Sequence, residues 1–213
     1  MPSTLTLTAD SSDKLRGLEL LRTAGLPTPT TVFLRTPPRE FPELGCDSVI
    51  FRPSLAQSFT AEAVQAASGL VDSLIVRRSE WWVHIQTVQE MVRTWPTIVQ
   101  PLVHQVSGAI AHYWPREAVL RLAVAETTTR VAQGEDAALT GRLFIAEGQF
   151  TTESQEIADE QFQLIDAVSS FAGNLAGLPP MRSWEIEMCL SPHDGLFFLQ
   201  AQPSTAMYKE SWT

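Results

Sequence analysis

Two runs of alternating polarity constrain the fold most: Trp184-Glu185-Ile186-Glu187-Met188-Cys189-Leu190 and Leu196-Phe197-Phe198-Leu199-Gln200-Ala201-Gln202-Pro203, separated by Ser191-Pro192-His193-Asp194-Gly195. Alternation of this kind marks half-buried strands, and a Pro/Asp/Gly loop between two such runs marks a hairpin. An even loop centred on His193-Asp194 pairs Ile186 with Ala201, Met188 with Leu199 and Leu190 with Phe197 on one apolar face. The same register sets Glu185 opposite Gln202 and Glu187 opposite Gln200 on the other. A slip of one residue would bring carboxylates into the apolar row, so burial selects the even register.

The polar face gathers two carboxylates and two carboxamides. Like charges at this spacing repel by roughly 1 kcal/mol in water and more in a partly dry site. A cation relieves the repulsion, and an all-oxygen donor set suits Mg²⁺ better than Zn²⁺. The solvated outer face of an ordinary hairpin would alternate in the same way, so the pattern alone leaves both readings open.

Composition narrows the classes. The 213 residues, 44% hydrophobic and 18% charged, suffice for a buried core in one two-lobed domain or two small ones. A net charge of -9 and the lack of a basic run argue against nucleic acid or an anionic membrane as partner. ATP stays compatible, because the local site and its metal set that affinity. Cys46 and Cys189 have no metal-like spacing and are expected as reduced thiols in a cytoplasmic protein. Met1 to Asp10 lacks the charged and apolar regions of a secretory leader, and no 18-residue apolar run occurs. His84, His104, His112 and His193 form no metal spacing, and each is expected at a surface or strand edge. No P-loop, G-x-S-x-G elbow or G-x-G-x-x-G is present.

The hairpin, W-E-I-E-M followed by F-L-Q-A-Q-P-S-T, resembles the end of the nucleotide-binding domain of phosphoenolpyruvate synthase and pyruvate phosphate dikinase, within the ATP-grasp superfamily. That family has an acidic-I-E strand, a short turn and a strand reading L-Q-A-R-P. Its acids and Gln serve Mg²⁺-ATP, and its Arg serves phosphate. By position the resemblance gives Glu185, Glu187 and Gln200 a metal role. Gln202 stands where the family has the catalytic Arg, and the amide lacks both the fixed charge and the bidentate phosphate contact.

Three further patches in the same order carry the resemblance, which spans roughly residues 12 to 205. Ser11-Ser12-Asp13 caps a predicted helix through Leu15, Leu18, Leu20 and Leu21 that ends at Gly25, with Thr31 to Leu34 as a strand. Lys14 stands at the family's phosphate-reaching Lys; a solvated Lys at a helix start is the bland alternative. Ser73 to Ser79 resembles the V-R-S-S strand end and places Arg77 at the phosphate-binding Arg, with Arg78 in place of a Ser. Thr97 to Val103 and Val106 to Ile110 resemble V-V-Q-x-M-V and V-S-G-V. There the resemblance makes Gln100, Leu102 and Val103 the hinge residues that meet adenine. Pro101 removes a donor, tolerable only where that N–H would face away from the ladder.

Elsewhere the pattern departs from the family. Positions 80 to 97, rich in Trp81, Trp82, Met91, Val92 and Trp95, replace a long phosphate-covering segment; Glu90 and Arg93 sit on the polar side of a short helix, and the indoles pack a core or stack a base. Glu126 to Thr129 occupies a glycine-rich turn without its glycines. Remaining expectations are a Pro37–Pro42 connector, strands at 48–52, 119–124, 131–135 and 142–145, and helices over 61–70 and 151–175. The long helix carries Ile157, Phe162, Ile165, Val168 and Phe171 on one stripe. Tyr208 to Thr213 is expected to fray.

The resemblance implies an α+β, ATP-grasp-like fold of two lobes, 1–95 and 96–213, with mostly antiparallel sheets flanked by helices and any nucleotide between them. It implies an ATP- and Mg²⁺-dependent phosphotransferase or ligase module. Glu185, Glu187 and Gln200 would hold metal, Lys14 and Arg77 the phosphates. The partner would be a small-molecule or protein phosphoryl acceptor. No phosphohistidine or phosphoenolpyruvate-binding segment is recognisable, so a full dikinase reaction is expected to draw on separate partner chains. The alternative is a degenerate ATP-grasp protein without turnover, acting as a binding or regulatory module.

Overall fold

The computed structural model describes residues 13–54, 72–128, 139–152, 157–180 and 183–204. The expected helix at 61–70, the strand at 131–135, the cap at Ser11-Ser12 and the terminal tail lie outside the described residues. The described residues up to Gly17, with Thr30–Leu102, form one compact unit; Leu18–Pro29, with the described residues from Val103 onward, form the other.

In the first unit four antiparallel strands, β1 (Val32–Leu34), β2 (Ser48–Pro53), β3 (Leu74–Arg77) and β4 (Thr97–Pro101), lie in the order β1-β4-β2-β3. Helix α2 (Trp81–Thr94) covers one face. Its apolar residues recur at helical spacing, Trp81, Ile85, Val88 and Val92, and pack on Val49, Phe51, Val76 and Val99. Trp81 stacks on Phe51 with centroids 6.3 Å apart and meets Phe41 edge-on at 6.0 Å. Trp82 is 74% exposed, so the two indoles divide between core and surface. Pro96 follows the helix and bars its continuation. Pro101 lies opposite Val49, while the next N–H, that of Leu102, donates to Ser48 O at 3.0 Å. Pro101 therefore occupies a non-hydrogen-bonded position relative to β2, where its missing donor costs the β2–β4 ladder nothing.

The second unit is a six-stranded antiparallel sheet, order β10-β9-β5-β6-β7-β8. Its strands are β5 (Ser107–Trp114), β6 (Val119–Ala125), β7 (Leu139–Phe144), β8 (Gln149–Thr152), β9 (Ser183–Ser191) and β10 (Gly195–Ser204). One face buries Ala109, Ala111, Tyr113, Leu120, Leu122, Val124, Ile186, Met188 and Phe198. Leu164, Ile165 and Val168 of α3 (Asp159–Ser170), with Ala172 and Leu175 of α4 (Ala172–Leu175), are buried as well. Phe171, at the end of α3, meets Phe198 of β10 edge-on at 6.2 Å.

Helix α1 (Asp13–Thr23) closes with Gly25 at φ 75°, and Leu26 N–H reaches back to Leu21 O at 3.0 Å, a Schellman closure that only glycine enters cheaply.

Three expectations are corrected. The stretch 151–175 is not one helix: Thr151 and Thr152 belong to β8, and the helix begins only at Asp159. Phe162, expected on the apolar stripe, is 62% exposed, because Leu164, Ile165 and Val168 set the buried face. The hairpin loop is odd rather than even. Ser191 pairs with Gly195, so Met188 faces Phe198 and Leu190 faces Leu196, not Leu199 and Phe197. A bulge between Phe198 and Gln200 then shifts the register by one, which restores Ile186 opposite Ala201, Glu187 opposite Gln200 and Glu185 opposite Gln202. A three-residue loop without that bulge would turn the amides toward the apolar row.

Candidate functional site

The outer face of the six-stranded sheet is where the polar residues of the hairpin meet. Gln200 is 5% exposed, and its Nε2 donates to Gln202 Oε1 at 2.6 Å. Gln202 Nε2 in turn donates to Glu185 Oε1 at 2.6 Å. The two amides thus form a chain that ends on a carboxylate. Gln202, standing where the resembled family has Arg, supplies a directed donor without a charge. Glu187 lies next to Gln200 in register and next to Ile110 of β5, and is half-buried like Glu185.

On its other side Glu185 faces His112 of β5, and His112 faces Arg121 of β6. His112 is half-buried on this face, inside the sheet, since β5 is flanked by β6 and β9. Its Nδ1 lies 3.3 Å from Ser204 Oγ, while Ser183 Oγ donates to Ser204 O at 2.8 Å. Burial holds the imidazole below its ordinary value; Glu185 opposes that shift and Arg121 adds to it. Cys189 shares this face, two residues beyond Glu187, with its thiol pushed up to about 12 by burial and then by Glu187.

The end of the face is closed by backbone. A Cβ on Gly108, opposite Cys189 and Ala125, would collide with the backbone of Thr127 and Thr128. Gln105 Oε1 pins this segment, accepting from Thr128 N at 3.0 Å. Gly108, on the strand beneath, is what lets the backbone of Thr127 and Thr128 come this close.

The remaining sequence-predicted site residues, apart from Val103, lie in the first unit. Lys14 Nζ donates to Pro53 O at 2.6 Å, at one end of β2. Arg77 pairs with Ser48 at the other end, about 16 Å along the strand; its side chain is 70% exposed and lies 4.0 Å from Glu80. The structure therefore does not gather these two cations into one cluster. Neighbouring Arg78 binds Glu43 at 3.1 Å and lies 4.6 Å over the Phe41 ring, a fold-holding role. Gln100 is buried; its Nε2 donates to Thr31 Oγ1 at 3.1 Å and its Oε1 accepts from Arg52 at 3.4 Å. Leu102 is 41% exposed, with its N–H taken by Ser48 O. The boundary between units falls between Leu102 and Val103, and Val103 is half-buried in the loop before β5.

No protein-family model and no curated protein sequence matches this chain. Solved structures do. N5-carboxyaminoimidazole synthetase from Staphylococcus aureus superposes with a TM-score of 0.53 at 8% identity, over 93% of this chain and 45% of that one. The same enzyme complexed with ADP gives 0.51 at 9%, over 90% and 44%. Carboxyaminoimidazole ribonucleotide synthase from Aspergillus clavatus, complexed with ATP, gives 0.52 at 12%, over 92% and 46%. The chain spans less than half the length of these proteins. At such low identity the likeness shows the fold, which is α+β and ATP-grasp-like.

Proposed function

We propose that this chain is an ATP- and Mg²⁺-dependent ligase or phosphotransferase module. The observation that carries this reading is the oxygen-rich outer face of β9 and β10, on a fold shared with a synthetase structure complexed with ADP and a synthase structure complexed with ATP. The donor set fits Mg²⁺. Among the described residues no group of three His, Cys, Asp or Glu side chains could hold a metal, and Mg²⁺ characteristically uses one or two carboxylates and completes its shell with phosphate and water. Glu185, Glu187 and the Gln200 carbonyl would hold it, and Mg²⁺ would neutralise charge on the transferring phosphoryl group.

Within this reading Gln202 orients Glu185, where an arginine would have gripped phosphate. The resemblance to phosphoenolpyruvate synthase assigns phosphate contacts to Lys14 and Arg77 and adenine contacts to Gln100, Leu102 and Val103. It also suggests a small-molecule or protein acceptor, with separate phosphohistidine and phosphoenolpyruvate-binding chains for a dikinase cycle.

A second reading, a degenerate protein without turnover that acts as a binding or regulatory interaction module, is favoured by the engagement of Lys14 with Pro53 and by the amide chain at Gln202. Calorimetry with ATP, with and without Mg²⁺, on the wild type and Glu187→Ala tests both. Metal-dependent binding that disappears in Glu187→Ala is the expected result. ADP release then marks phosphoryl transfer to the acceptor and AMP release marks dikinase chemistry, while binding without either marks the second reading. Absence of metal-dependent nucleotide binding overturns the first reading and favours the interaction module.

A further inference from the structure

Beyond Gln202, at the end of the same sheet face, a hydroxyl meets an imidazole. Ser204 follows Gln200 and Gln202 on β10 at the two-residue spacing that keeps all three on one face. Its Oγ lies 3.3 Å from Nδ1 of His112, on β5 beyond the intervening β9. The contact can span β9 because the residue opposite Ser204 there, Ser183, is small. In the tautomer that carries its proton on Nε2, His112 Nδ1 accepts from the Ser204 hydroxyl. Ser183 Oγ donates to Ser204 O at 2.8 Å and so fixes the backbone that carries this hydroxyl. The His112 ring leans on Trp114, with centroids 6.1 Å apart.

This corner adjoins the carboxylates. His112 stands opposite Glu185. Ser204 stands diagonal to Glu185, since Ser204 pairs with Ser183 and Gln202 with Glu185. Diagonal neighbours on a sheet are about 7–8 Å apart, within reach of long side chains and of a group held by one of them. The two hydroxyls here differ in what receives their protons. Ser183 aims at a carbonyl, which is no base, whereas Ser204 lies against a ring nitrogen that can take a proton.

We infer that Ser204 is a phosphoryl acceptor of this chain's own site, a modification site filled from Mg²⁺-ATP. This deepens the proposed function, on which it rests for the nucleotide, by naming the acceptor. In the step, Ser204 Oγ bonds to the γ-phosphorus and the bond from that phosphorus to the β,γ-bridging oxygen breaks. The electron pair of the broken bond leaves with ADP, and the hydroxyl proton passes to His112 Nδ1. The phosphoserine then carries about −1.5 to −2 charges at neutral pH beside Glu185. That charge repels the phosphates of a second nucleotide, so transfer stops at one phosphoryl group per chain.

The test incubates the full chain with γ-³²P-labelled ATP and Mg²⁺ and locates the label by peptide mapping. Label on the peptide containing Ser204, with ADP released in equal amount, is the expected result. Ser204→Ala should abolish it and Ser204→Thr, which keeps a hydroxyl, should retain it. At saturating Mg²⁺-ATP, His112→Gln should slow labelling about a hundredfold. The rate per chain should not change on dilution; a rate that falls overturns transfer within one molecule. A readout independent of turnover comes from the imidazole ¹⁵N resonances of the nucleotide-free chain. His112 Nδ1 should shift in Ser204→Ala, and an unmoved resonance overturns the hydroxyl's hold on the ring. Calorimetry with Mg²⁺-ATP separates the two readings. Metal-dependent binding without label on Ser204 overturns the acceptor alone, while the absence of both overturns the acceptor and the ATP-dependent module together.

Discussion

Cys189 is a lone thiol in a sheet that leaves it no water. Its pKa, raised from 9.0 to about 12 by burial and then by Glu187, means that the unfolded chain ionises first as pH rises. The stability it contributes is therefore complete below pH 9 and is lost progressively toward pH 12. Urea midpoints should fall more steeply across that window in the wild type than in Cys189→Ala; equal slopes would contradict the burial. Native-state labelling should modify half-buried Cys46 first and reach Cys189 only on unfolding. Trp81 offers a second case. Its Nε1 is buried with no hydrogen-bond partner among the described residues. Removing an orphaned donor offsets part of the lost packing, so Trp81→Phe should cost less than about 2 kcal/mol, against about 3–5 kcal/mol for Phe51→Ala, by chemical denaturation.

Among the elements, the β9–β10 hairpin shows how a local irregularity preserves a functional face. The three-residue loop and the bulge before Gln200 are each a one-residue shift, and together they keep both amides beside the carboxylates. Deleting Leu199 should remove the bulge yet keep Gln200 opposite Glu187 and Gln202 opposite Glu185, whereas deleting Ala201 should slide Gln202 into the apolar row opposite Ile186. The mispaired amide should cost about 1–3 kcal/mol in the Ala201 deletion beyond the lost packing. An Ala201 deletion with an unchanged urea midpoint would refute the account. At the other end of the face, Gly108→Ala forces a methyl into the backbone of Thr127 and Thr128, and should destabilise by about 1–3 kcal/mol. Gly173→Ala serves as the control. It lies in α4 with nothing within 4 Å of its added Cβ, and should be neutral or stabilising by up to about 1 kcal/mol.

For the molecule as a whole, a ligand that binds only the folded state raises stability by mass action. Mg²⁺-ATP at about 100 times its dissociation constant adds about 2.7 kcal/mol, which for a chain of this size is a rise in Tm of about 5–10 °C. The rise should require Mg²⁺ and vanish in Glu187→Ala; an equal rise without metal would remove the carboxylate pair from the account. Among the described residues no helix is long and apolar enough to cross a membrane.

What the sequence determined by itself is what short-range periodicity encodes. Period-two alternation put Glu185 and Glu187 on one face and Ile186 and Met188 on the other, and Gly25 with Pro27 ended α1, because these preferences act within a few bonds. Ordered patches of resemblance indicated the ATP-grasp-like fold for the same reason, each patch being a local pattern. Only the tertiary structure decided the rest. The bulge before Gln200 compensates a loop several residues away, the carbonyl that takes Lys14 is thirty-nine positions distant, and Arg142 faces Arg121 only once β6 and β7 have paired. Such placements depend on long-range register, and register is set by which face of each strand the core buries.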